Sequence, residues 1–203
     1  MNNLRTGFAA DPQAARARWL VWLSAGATDL VWALGSIPPE RWTHAPPEPA
    51  RLGAWPPARH VRHLALAETR LVVPAVEAVL DERSTPDLPT RAELDQLNAA
   101  WDASIPPEAV EGLVDAIGEA RFGLLQRLES AADDVWERPI PAGIAPGEAP
   151  ARLEWLLGRA RQHDLEHQSA LWKLCLYWDR VAAPPTARVS LPLQPADRLE
   201  ESH

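Results

Sequence analysis

The chain has 203 residues, a formal net charge of −8 and a pI near 5.2. That balance excludes a general nucleic-acid or anionic-membrane binder, since both reward clustered positive charge, and no run of about eighteen apolar residues exists to span a bilayer. The length suits one domain with a substantial core, and a single cysteine, Cys175, rules out an internal disulfide and suits the cytoplasm.

The N-terminal stretch MNNLRTGFAADPQAARARWL has no apolar signal core before its helical pattern starts. Asp11-Pro12 opens the first helix, with Asp as N-cap and Pro at the first helical position. Leu20, Leu23, Ala27, Leu30, Val31 and Leu34 form its stripe, and Pro38-Pro39 stop it. A Pro-rich loop follows over residues 38–56 and holds His44, which reads as solvated.

The second helix runs from about Pro57 to Asp81, with Val61, Leu64, Leu71, Val72, Ala75 and Val79 on one side. On a helical wheel His60 and Glu68 fall inside this apolar arc and His63 on its border. Pro74 lies within the pattern and should kink the helix or loosen a turn. A short accessory helix is expected after Thr90, which has Glu93 three residues on as in a capping box.

The third helix covers about Pro107 to Ala132, with the stripe Val110, Leu113, Val114, Ile117, Leu124 and Leu128. Arg121 falls in the centre of that stripe, where an unpaired charge is costly. It pairs with Glu68 across the core or holds an anionic substrate, and the two roles need not exclude each other. A Gly/Pro loop over residues 133–150 leads into the fourth helix, residues 150–178, striped by Leu153, Leu156, Ala160, Ala170, Leu171, Leu174 and Trp178. After it the Pro-rich tail is either an arm on a neighbouring surface or disordered; Val189, Leu191 and Leu193 alternate like an extended arm and suggest a homodimer. These elements predict an all-α four-helix bundle over residues 1–180, with up-down or crossover connections, a short accessory helix, and a tail over 181–203.

His163 and His167 sit one turn apart within the apolar stripe of the fourth helix. Side chains at i and i+4 share a face, so both imidazoles can reach one metal ion at about 2.0–2.1 Å. Bonded core histidines are the alternative, since each ring carries a donor and an acceptor to satisfy. The second helix offers a third ligand in His60 or His63. Three histidines leave a fourth position open, as in catalytic zinc sites. The zincin motif needs Glu directly after the first His, where this chain has Asp164. An HD-type phosphohydrolase site is disfavoured as well, because Asp164 points about 100° away from His163 on a helix.

The stretch GAWPPARHVRHLALAE resembles the second-helix signature of the DinB family, a Trp followed by a helix carrying His-Leu-Ala. HDLEH, about a hundred residues later, resembles that family's second signature, and EARFGLLQRL resembles an Arg- and Leu-bearing run of its third helix. The resemblance covers roughly residues 10–180. It implies a four-helix bundle holding a divalent metal, zinc or nickel, through His63, His163 and His167. It also implies a link to enzymes that use low-molecular-weight thiols. Two positions depart from a frequent family pattern: Glu166 stands where many members have His, and Ala170 where many have Gln.

On this reading the chain transfers a low-molecular-weight thiol to a small-molecule electrophile. Glu68 is the candidate base or orienter of a ligand, and Arg121 the candidate anion clamp. A metal-dependent hydrolase and a non-catalytic, metal-stabilised bundle are the alternatives. The wheel favours His60 as ligand, the resemblance His63.

Overall fold

Prolines and capping residues set the ends of the helices. The computed structural model describes residues 12–82, 88–100, 104–141 and 151–182. Helix α1 spans Pro12–Gly35, a short α2 spans Pro49–Leu52, and α3 spans Pro57–Ala67. A π turn, Glu68–Val72, joins α3 to α4, Val73–Leu80. Then come α5, Arg91–Ala99, α6, Pro107–Ser130, and α7, Leu153–Ala182. Helices α1, α2, α3 and α6 each begin on proline, whose fixed φ suits the first turn and whose missing N–H is not needed there. Thr90 caps α5 as expected: its N–H donates to Glu93 Oε2 at 2.7 Å and Glu93 N–H donates to Thr90 Oγ1 at 3.3 Å. Among the described residues the one extended pairing is an isolated antiparallel bridge between Pro139 and Arg152.

Pro74 is accommodated as the sequence suggests. The turn before it widens, so that the Val73 N–H reaches the Glu68 carbonyl rather than the one four residues back. A proline inside an α-helix otherwise clashes with the carbonyl of the preceding turn. The widened turn also carries Glu68 into the core, where it is 3% exposed.

Four long elements form the bundle. Helix α1 packs against α6 and α7, and α3–α4 packs against the same two. Trp19 lies beside Gly158, and Cys175 beside the Ser36 carbonyl, so α1 and α7 run parallel. Arg121 meets Glu68 while Arg127 meets Glu77 and Asp81, so α6 runs parallel to α3–α4. Parallel neighbours cannot be joined by a tight turn. The connection from α4 to α6 is therefore a long crossover, and it carries α5. This resolves the choice of topology that the sequence leaves open.

The core has two apolar halves. Leu30, Leu34, Val61, Leu64, Ile117 and Leu171 belong to one; Leu23, Val76, Leu124, Leu128, Leu153 and Leu157 belong to the other. Between them, in order along every long helix, lies a polar layer. Val31, expected on the buried stripe of α1, is 50% exposed, and Ala33 and Ile37 are buried instead. Val31 lies at the rim of a shallow groove between α1 and α6. Helix α7 continues to Ala182, two residues into the stretch that the sequence assigns to the tail. The N-cap expected at Asp11 and the rest of the tail lie outside the described residues.

Arg121 is the centre of the polar layer. Its Nε and Nη2 donate to the two oxygens of Glu68 at 2.6 and 2.8 Å. Nη1 donates to the Leu23 carbonyl at 2.9 Å and to Asp164 Oδ2 at 3.1 Å, and Nη2 also reaches Asp164 Oδ1 at 3.4 Å. Burial alone would lower the guanidinium's pKa; the Glu68 carboxylate, then Asp164, outweighs it and raises the pKa. One side chain thus ties all four long elements together.

Gly26 makes the close approach possible, because a Cβ there would lie 2.5 Å from Asp164 Oδ2 and 2.9 Å from Arg161 Nη1. Its carbonyl also accepts from Gln168 Nε2 at 2.7 Å. Arg121→Met should lower the unfolding free energy by about 3–5 kcal/mol, the cost of stranding buried partners. Urea melts should show much of that loss recovered in the triple variant Arg121→Met, Glu68→Gln, Asp164→Asn. Gly26→Ala should destabilise as well.

Candidate metal centre

The polar layer continues across the seam between α3 and α7. His60 and His63 lie one turn apart on α3, and His163 and His167 one turn apart on α7. The two helices run antiparallel, which sets His63 opposite His163 and His60 opposite His167. His63 Nε2 and His163 Nε2 are 3.0 Å apart. The rings of His63, His163 and His167 form a near-equilateral triangle, with centroids 5.0, 4.9 and 4.7 Å apart. One nitrogen from each lies within 4.8 Å of the others.

These are the three residues that the resemblance names as ligands, and the structure brings their rings together into a group that could hold a metal ion. His60 is outside the triangle. It packs against the back of His167, Nδ1 to Nδ1, at 2.9 Å. It is there an orienting partner, with His167 Nε2 left for the centre of the triangle.

Asn98 supplies a second orienting contact. Its Oδ1 lies 2.8 Å from His63 Nδ1. A carbonyl oxygen can only accept, so the imidazole donates from Nδ1 and turns the Nε2 lone pair toward His163. Such partners fix the tautomer and orientation of metal-ligating histidines. Asn98 is delivered by α5, whose last carbonyls are gripped by α3: Arg62 Nη2 donates to Leu97 O and Nη1 to Ala100 O, both at 3.1 Å.

Trp55 closes the other flank. Its ring centroid is 5.3 Å from both His60 and His63 and 6.0 Å from His167, with the Arg59 guanidinium 4.7 Å above it.

The chemistry of this donor set fits a divalent ion. Two nitrogens on one tetrahedral ion with bonds of about 2.0–2.1 Å stand roughly 3.3 Å apart, close to the observed 3.0 Å. The imidazoles must also be neutral to bind. Burial, then the neighbouring His163, His60 and His63, holds His167 down to about 3. Burial, then His63 and Arg59, holds His60 at about 4. His163 is lowered by burial and by His63, against the opposing pull of Asp164 and Glu166.

Glu68 and Arg121 lie in the same layer but are committed elsewhere. The five N–H groups of a guanidinium are matched by five bonds to Glu68, Asp164 and Leu23. Nothing remains on Arg121 to clamp a substrate, and both Glu68 oxygens are held by it. Arg121 is thus paired in this structure, with Glu68 first among its partners. Sequence reasoning passed over Asn98, met Trp55 only as part of the second-helix signature, and met Asp164 only as a position that fits neither the zincin nor the HD pattern. Asp164 follows His163 on α7 and turns to Arg121 because one residue rotates a helix by about 100°.

A cavity of about 380 Å³ opens to solvent beside His63, His163 and Asn98, with leucines along its walls. A larger depression of about 750 Å³ lies between Thr69–Pro74 and Leu88–Ala100, and no histidine lines it.

The sequence profile described as the DinB superfamily matches residues 22–171. Comparison with curated proteins finds no match. Among solved structures, the fold is similar to the crystal structure of a histidine-to-alanine mutant of mycothiol-dependent maleylpyruvate isomerase. The TM-score is 0.60 and the identity 12%; the likeness covers 77% of this chain and 60% of that one. Within the described residues no helix is long and apolar enough to cross a membrane.

The depressed histidines make the metal-free fold sensitive to acid. An unfolded histidine titrates near 6.5, whereas His60 and His167 titrate at about 4 and about 3 in the fold. Below pH 6.5 the unfolded chain therefore takes up protons that the folded chain refuses. Stability should be level above that pH and fall as pH drops toward 4 and then 3. Urea melts of chelator-treated protein would show it. His60→Asn should flatten the slope between pH 6.5 and 5, where carboxylates titrate little.

Proposed function

The chain belongs to the DinB superfamily, and on that premise we propose that it is a metal-dependent enzyme transferring a low-molecular-weight thiol to a small electrophile. The observation that carries this reading is the triangle of imidazoles beside an open cavity. His63, His163 and His167 would hold the ion, zinc or nickel, since imidazole suits both. The ion supplies Lewis acidity, lowering the pKa of a thiol or water that takes its open position.

The protein's own groups prepare the site. Asn98 holds the His63 proton on Nδ1, and His60 fixes His167 from behind. Trp55 shields the ligands from water on the side away from the cavity. In the transfer the thiol sulfur bonds to an electrophilic carbon as that carbon's bond to its leaving group breaks; the leaving group takes the bond's electron pair, and the thiol proton passes to it or to solvent. Thiol transfer is favoured over hydrolysis because Glu68, the candidate base, has both oxygens bonded to Arg121. The single cysteine suits a cytoplasmic setting. Cys175 sits beside the Ser36 carbonyl and leaves the attacking sulfur to come from outside.

His63→Ala, His163→Ala and His167→Ala should each strip bound divalent ion in elemental analysis, whereas His60→Ala should retain most of it. In cobalt-loaded protein, adding a small thiol should change the visible spectrum. Full metal in all three ligand variants would remove the site. A fully loaded protein whose spectrum ignores every thiol tried would remove the thiol chemistry.

We also infer a homodimer, formed through the outer face of α1 and α7. Trp22 and Trp32 are 44% and 69% exposed, and Leu165, Trp172 and Leu176 are 49%, 36% and 58% exposed. Leu165, Trp172 and Leu176 recur at seven and four residues and so share one stripe of α7, roughly 16 Å long; Trp22 and Trp32 stand on the adjoining α1, and Asp29 and Arg161 pair across the two helices at 3.6 Å. Apolar ridges of this kind mark interaction sites, and a twofold axis across this one pairs it with itself. Light scattering should give a dimer for the native chain and a monomer for Trp32→Glu with Leu176→Glu. A native monomer would overturn the inference.

A further inference from the structure

The cavity beside the metal centre has a chemical gradient. At its inner end stand His63, His163 and the Asn98 amide. Its walls are apolar: Leu66, Leu71 and Val72 from α3 and the π turn, Leu94 from α5, and Leu156 with Ala160 from α7. Asp95 and Arg159 also line it and are exposed, with Arg159 Nη1 donating to Gln162 Oε1 at 2.7 Å. The volume of about 380 Å³ lies in the range of small-molecule sites.

A molecule bound here would meet ligating nitrogens at one end and branched aliphatic side chains along its length. A wholly polar substrate would waste the walls, and a wholly apolar one would leave the imidazole end unpaired. We propose that this cavity is the site for an amphipathic substrate, a polar reactive head on an apolar body such as a medium-length acyl chain. The head lies at the imidazoles and the body between α5 and α7. Helix α5 supplies Leu94 as the wall across from Leu156, so the crossover segment selects the length of body accepted. This inference rests on the metal reading of the triangle and adds to it the class of molecule taken.

The test uses full-length zinc-loaded protein and a series of straight-chain hydroxamates, from acetohydroxamate to octanohydroxamate. Their shared head seeks a metal while their tails grow one methylene at a time. Calorimetry should show affinity rising about fourfold per methylene, the gain of burying each one, until the cavity is filled. Leu94→Asp should flatten the series, and Leu94→Trp should stop the rise at a shorter tail. Leu94 is partly exposed on α5, so either variant should fold. Equal affinity along the series, or a rise unchanged in both Leu94 variants, would overturn the proposal and leave the metal site standing. Failure of acetohydroxamate to bind, or of zinc to load, would instead bring down the metal reading and the proposal with it.

Discussion

A single guanidinium holds this bundle in register. Arg121, on α6, reaches a backbone carbonyl of α1, a carboxylate of the π turn and a carboxylate of α7. Desolvating three charges is expensive, and an apolar replacement of similar shape is often as stable or more so. What the network supplies is alignment. Amphipathic helices can slide by a turn with little loss of apolar contact. Here a shift of about 5.4 Å would drive the charges into one of the two apolar halves.

The histidines occupy the same slice of the molecule, and that position explains their chemistry. Burial lowers the pKa of His60, His163 and His167, yet the site lies at the α3–α7 seam, where the cavity reaches His63 and His163 from outside. The orienting contacts come from unlike sources: His60 is one turn from a ligand on the same helix, whereas Asn98 belongs to a segment distant in sequence. The ion-pair layer keeps Glu68 and Asp164 turned away from the imidazoles. The triangle is therefore assembled from ring nitrogens alone.

Much of this was legible in the residues. The three-and-four spacing marks the long helices, Thr90 with Glu93 marks the accessory one, and Pro74 marks a disturbed turn that the structure forms as a π turn. The centre of an apolar stripe is where a charge needs a partner, so Arg121 and Glu68 could be matched. Asp164 could not, because its role depends on how far α7 rotates against α6. Asn98 carries no periodic signal at all; its place is set by how the crossover lies on α3. Val31 failed for the related reason that a wheel gives the direction of a stripe but not its width, which neighbouring helices decide. The choice between His60 and His63 likewise turned on the register of two antiparallel helices, a quantity that neither sequence shows alone.

Arg62 holds α5 by the carbonyls of Leu97 and Ala100. A grip on main-chain atoms is indifferent to which side chains the gripped helix carries. Leu94 can thus be exchanged without releasing the helix, while the residues that fix the imidazoles stay untouched. The molecule separates an invariant chemical end from a replaceable wall, and related chains could diverge in what they accept by drift within a single short helix.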